Sequence, residues 1–91
     1  MKVHNINGSQ GWYYRNIGLR DWMIQKGLNR KPFCSAIGCN DIATDGSHVI
    51  KVDSSDKHWY ICPFCHEHNE ATYDIELKAD WPNRLVPLSC L

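Results

Sequence analysis

The stretch Tyr60-Ile-Cys-Pro-Phe-Cys-His-Glu-His-Asn69 decides how this chain is read. It follows Ser47-His-Val-Ile-Lys-Val52, a run rich in β-branched residues, across the turn-forming cluster Asp53-Ser-Ser-Asp56. Two such runs joined by a polar loop predict a β-hairpin over 47–61 with a four-residue loop. Pro63 suits the first position of a helix, because its missing N–H is one that a helix start leaves unbonded anyway. That helix would run over 63–72 and carry Cys65, His66 and Asn69.

Working outward, Cys62 and Cys65 have two residues between them, and Cys34-Ser-Ala-Ile-Gly-Cys39 forms a second close pair with four. Both spacings suit adjacent ligands of a structural Zn²⁺, held by two loops on either side of the hairpin. Disulfides are the competing reading. The opening residues contain no continuous apolar signal segment, so a reducing, cytoplasmic setting, where disulfides are rare, is expected. A redox Cys-x-x-Cys needs a βαβ setting that this pattern lacks. The expected ligands are therefore Cys34, Cys39, Cys62 and Cys65. His66, His68 and His48 stand close enough in sequence to leave a shell of three cysteines and one histidine open. Cys90 is left over as a free thiol near the end of the chain.

With 91 residues and 10.5 kDa, one small domain over 1–91 is expected. A hydrophobic share of 43% excludes wholesale disorder, and no apolar run reaches membrane-spanning length, so no membrane partner is expected. The balanced charge hides an asymmetry. Residues 1–33 carry six lysines and arginines against Asp21 alone, whereas residues 34–91 carry four against nine acids. A basic end of this kind suits nucleic acid or a protein partner, and competes with attraction between the two halves or a solvated helix face. Within it, apolar spacing predicts a helix from about Arg15 to Leu28, ended by Gly27 or Asn29. The first dozen residues read as a loose lead-in. Residues 34–73 form the metal module, and 74–91, with Pro82 and Pro87, form an irregular tail or a short return strand.

Cysteine knuckle, hairpin and ligand-bearing helix follow one another as in a treble-clef zinc finger, making the expected fold a small α+β, zinc-stabilised treble clef with an N-terminal helix. Residues 34–69 resemble the zinc-bearing branch of the HNH endonucleases. The likeness rests on Cys34 and Cys39, Asp45-Gly-Ser-His-Val-Ile50, and Tyr60 to Asn69. It implies that a strand histidine, here His48, activates water. It also implies that a helix histidine just after the last cysteine, here His66, helps hold a catalytic divalent cation such as Mg²⁺. A neutral imidazole suits the first task and a metal the second. The family's acidic or histidine ligand directly before the strand histidine corresponds to Ser47 here. The leading expectation is therefore a non-catalytic zinc module binding nucleic acid or protein. A small metal-dependent nuclease and a protein-interaction domain are the alternatives.

Overall fold

Alternation along one strand divides the molecule into two faces. The structure, a computed structural model, describes residues 1–6 and 17–91. Strand β1 (Lys2–Asn5), β2 (Asp45–Lys51), β3 (Tyr60–Phe64), β4 (Ile75–Glu76) and β5 (Val86–Pro87) form one antiparallel sheet in the order β4-β1-β2-β3-β5. Helices α1 (Leu19–Lys26), α2 (His66–Asn69) and α3 (Trp81–Arg84) and a 3₁₀ turn over Leu88–Cys90 complete the small mixed α/β fold. No described helix is long and apolar enough to cross a membrane.

The hairpin forms as the β-branched run predicts, with Ser47 opposite Cys62, His48 opposite Ile61 and Val49 opposite Tyr60. Paired residues share a face, and successive residues alternate. Ser47, Val49, Cys62 and Phe64 therefore look one way. With Val3, Cys34, Cys65, Ala71, Ile75 and Leu77 they enclose the first core. Gly46, His48 and Ile61 look the other way, and Ile61 packs with Val86, Leu88, Ala43, Leu19 and Trp22 in a second core. Full burial of each large apolar side chain is worth roughly 1.5–3 kcal/mol. Two cores this small leave room for a metal cross-link to matter.

Helix α1 occupies the second face. It ends where glycine is expected to end it: Gly27 takes φ 69, and the N–H groups of Gly27 and Leu28 bond to the carbonyls of Ile24 and Met23. This is the left-handed stop that relieves orphaned carbonyls. At the other end, the Asp21 carboxylate accepts from Gly18 N at 2.9 Å. Gly46 lets α1 approach closely, since a Cβ there would stand 2.6 Å from Leu19 N and 2.7 Å from Gly18 C.

Four expectations need correction. The helix begins at Leu19; Arg15, with the aromatic Trp12, Tyr13 and Tyr14, lies outside the described residues. Lys2–Asn5 are not loose but form β1, inserted between β2 and β4. Its burial alternates although only Val3 of its four side chains is apolar, so hydrophobic periodicity carries no sign of it. Pro63 lies inside β3 and does not start a helix. Its carbonyl accepts from Ser35 N at 3.0 Å, so its missing N–H faces the cysteine loop and leaves the β2 ladder intact. The hairpin loop is also longer than four residues, because β3 starts at Tyr60. The Asp56 carboxylate gathers Tyr60 Oη, Lys51 Nζ at 3.0 Å and His58 N at 2.9 Å, and these bonds hold it well below its ordinary pKa.

Candidate metal centre

Two structural elements bring four ligand-type atoms together. The first is the loop from Cys34 to Cys39. Cys34 N bonds to Asp41 O at 2.7 Å and Cys39 N to Ala36 O at 3.1 Å, closing a tight turn in which Gly38 adopts φ 77. The loop is held from outside. Ile37 N bonds to Glu76 O at 2.9 Å and Lys78 N to Ser35 O at 3.0 Å. Lys78 Nζ donates to Cys34 O at 2.6 Å, and Arg84 Nη1 donates to Phe33 O at 2.8 Å and to Ser35 Oγ at 3.1 Å. Residues 74–91, read from sequence as a tail, thus brace the metal loop with two cations.

The second element is α2. Cys65 is its N-cap residue and His68 lies one turn along, so both side chains leave the same side of the helix. Cys65 Sγ stands 3.1 Å from His68 Nδ1, Cys34 Sγ 3.6 Å from the same nitrogen, and Cys39 Sγ 4.0 Å from Cys65 Sγ. The ligand atoms of Cys34, Cys39, Cys65 and His68 all lie within 4.8 Å of one another. Tetrahedral bonds of about 2.3 Å to sulfur and about 2.0 Å to nitrogen require ligand separations of about 3.5–3.8 Å. The observed edges bracket those values, and three thiols with one imidazole are the donor chemistry that Zn²⁺ prefers. The residues fit a metal ion such as zinc.

Burial pushes the Cys34 thiol up to about 11, although backbone N–H groups of Cys65 and Ala36 pull it back. The loop's dipoles alone therefore do not sustain a thiolate at neutral pH, and a cation held here would supply the missing stabilisation. Three thiolates and a neutral imidazole would leave negative charge in excess around a dication, and Lys78, whose Nζ donates to Cys34 O, would oppose it.

Among the expected ligands Cys62 stands outside the cluster, which His68 completes. The reason is backbone form. Cys62 belongs to the ladder opposite Ser47, and the chain stays extended through Phe64, whose carbonyl accepts from Thr44 N at 3.0 Å. An extended chain carries Cys62 about 10 Å from Cys65, at about 3.3 Å per residue, whereas one helical turn keeps His68 close. Cys62 is fully buried, and desolvation pushes its thiol up to about 12. The signal for His68 is its i, i+3 spacing from Cys65, which sets both side chains on one side of a helix.

His48 and His66 are not brought together. His48 Nε2 lies 2.7 Å from Ile17 O, on the α1 face. His66 lies on the opposite face, with Nδ1 3.6 Å from Asp45 Oδ2 and Nε2 3.1 Å from Glu70 Oε1, and its side chain is 72% exposed. Ser47 Oγ donates to Asn69 Oδ1 at 2.5 Å, confirming which strand face meets α2. His4 pairs with Asp74 and His58 with Asp56, both at 2.8 Å. Cys90 is exposed.

Comparison of the chain with family models, curated proteins and solved structures finds no match.

Proposed function

We propose that this chain is a structural zinc module of treble-clef type, resembling the zinc-bearing part of HNH endonucleases, that binds nucleic acid. The observation that carries the zinc reading is the convergence of Cys34, Cys39, Cys65 and His68 from a knuckle and a helix N-terminus. In such a centre the metal ties the loop to α2, supplying stability that the two small cores lack. The separation of His48 from His66 favours this binding role over the family's water-activating chemistry.

The nucleic-acid reading is supported by the exposed stretch 24–31. It carries Lys26, Arg30 and Lys31, and no acid occurs between Asp21 and Asp41. None of these three cations makes an ion pair among the described residues. Beside them lies a groove of about 430 Å³ lined by Trp22, Lys26, Leu28, Pro32, Asn83 and the Asp80–Arg84 ion pair. Cations flanking an apolar groove suit a phosphate backbone with bases against its floor. Binding of the zinc-loaded chain to single- and double-stranded oligonucleotides across a salt series tests this. Affinity should fall steeply with salt, and Lys26→Ala with Arg30→Ala should flatten the slope by about one for each phosphate left without its cation. Absent or salt-insensitive binding overturns the nucleic-acid reading and favours a protein partner.

A further inference from the structure

Asn5 lies on β1, which is held between β2 and β4, and its backbone pairs with Val49. Its side chain crosses to the metal-bearing helix. Nδ2 donates to His68 O at 2.8 Å and to Ala71 O at 2.9 Å, spanning more than sixty residues of sequence. The residue is 4% exposed, and its Oδ1 has no hydrogen-bond partner.

The orientation of this amide is fixed by what it faces. Two carbonyl oxygens at hydrogen-bonding distance accept only from donors, so the NH₂ group must point at them. Helix α2 is a single turn, and His68 O accepts from Ala71 N at 3.2 Å just past its end. Asn5 adds a second donor to His68 O and a donor to Ala71 O. An aspartate has no N–H, a leucine of the same shape has none, and a glutamine is one methylene too long. A buried amide oxygen left unbonded is destabilising, so the side chain is held here at a cost to the fold.

Taking Cys34, Cys39, Cys65 and His68 as a metal centre, we infer that Asn5 is a positioning residue for it. By fixing the carbonyl of His68, it sets the rotation of α2 and so aims Nδ1 at the three sulfurs. Outer groups that orient a metal-bound histidine usually act on its ring. Here the contact is to the ligand's own backbone, from the centre of the sheet. Cys34 and Cys39 are held by the bonds of their own loop and Cys65 is anchored directly after β3, so loss of Asn5 should release His68 and leave three ligands.

The test uses the full chain with ¹⁵N-labelled histidine and ¹¹³Cd in the site, and zinc for affinity. The wild type should show a ¹¹³Cd–¹⁵N correlation to His68 Nδ1. Asn5→Ala at saturating metal should fold, keep a thiolate-rich cadmium shift, lose that correlation and bind zinc 10–100-fold more weakly. In a His68→Ala background, Asn5→Ala should weaken zinc binding no further. If Asn5→Ala keeps the correlation and the affinity, or does not fold at saturating metal, or weakens binding equally without His68, Asn5 is a structural residue only and the inference is wrong. A wild-type chain that takes up no metal overturns the metal-centre reading itself, which separates the two failures.

Discussion

Cys65 caps α2 and His68 follows one turn later, placing Sγ and Nδ1 3.1 Å apart on one side of a helix only four residues long. Such a turn has little stability of its own, since helices shorter than about 12 residues are marginal in water. A metal held by Cys65 and His68 would join it to the Cys34–Cys39 loop, which has no regular structure of its own beyond isolated bridges at Phe33 and Ala36. Removing the metal should therefore release both elements. Structural zinc contributes about 10–16 kcal/mol in small fingers, against about 5–15 kcal/mol of total stability for a domain. Chelation should collapse amide dispersion in NMR spectra for residues 34–39 and 65–71 first. Unchanged dispersion after complete metal removal would contradict this.

Cys62 separates metal binding from packing. Cys62→Ser should keep one metal per chain while lowering stability by about 1–3 kcal/mol, because a hydroxyl is buried where a thiol packed. His68→Ala should do the reverse, weakening metal binding at little cost to core packing. Cys90→Ser should change neither. Metal stoichiometry beside chemical denaturation reads all three.

The buried thiol of Cys62 also carries a pH signature. Its pKa, 9.0 when exposed, is pushed up to about 12 by desolvation in the fold. Between those values the unfolded chain has lost this proton and the folded chain keeps it. Stability is thus full below about pH 9 and falls as pH rises, by up to about 1.4 kcal/mol per unit. Cys62→Ala should remove that part of the alkaline slope, as denaturation curves at pH 8 to 11 would record.

Gly46 controls the seating of α1. A methyl there would meet Leu19 N and Gly18 C at 2.6 and 2.7 Å, and backbone cannot swing aside as a side chain can. Gly46→Ala should cost about 3 kcal/mol and shift α1 off the sheet, with the metal retained. His48→Ala, which loses only the bond to Ile17 O, should cost about 1 kcal/mol. A Gly46→Ala chain as stable as the wild type would contradict the close approach.

The hairpin and the Gly27 helix stop are legible in the sequence because each depends on local chemistry: β-branched residues around polar turn residues in one case, a residue tolerant of positive φ in the other. The metal loop is legible from Cys34, Gly38 and Cys39. What escapes a sequence reading depends on partners distant along the chain. Lys2–Asn5 become a strand because β2 and β4 offer pairing on both sides, which a polar tetrapeptide does not announce. Pro63 suits a helix start and a strand whose open side faces a loop, and its register opposite Gly46 with the bond from Ser35 N sets it in the strand. The extended chain then carries Cys62 away from Cys65. His48 falls on the α1 face because Gly46, two residues before it, must lie against α1.

The central claim is that one zinc is held by Cys34, Cys39, Cys65 and His68. Zinc K-edge X-ray absorption of the purified, loaded chain measures that shell directly. The expected result is three sulfurs at about 2.3 Å and one nitrogen at about 2.0 Å, with the nitrogen lost in His68→Ala. Four sulfurs in the wild type would return Cys62 to the shell and contradict the claim, as would a folded chain that holds no metal.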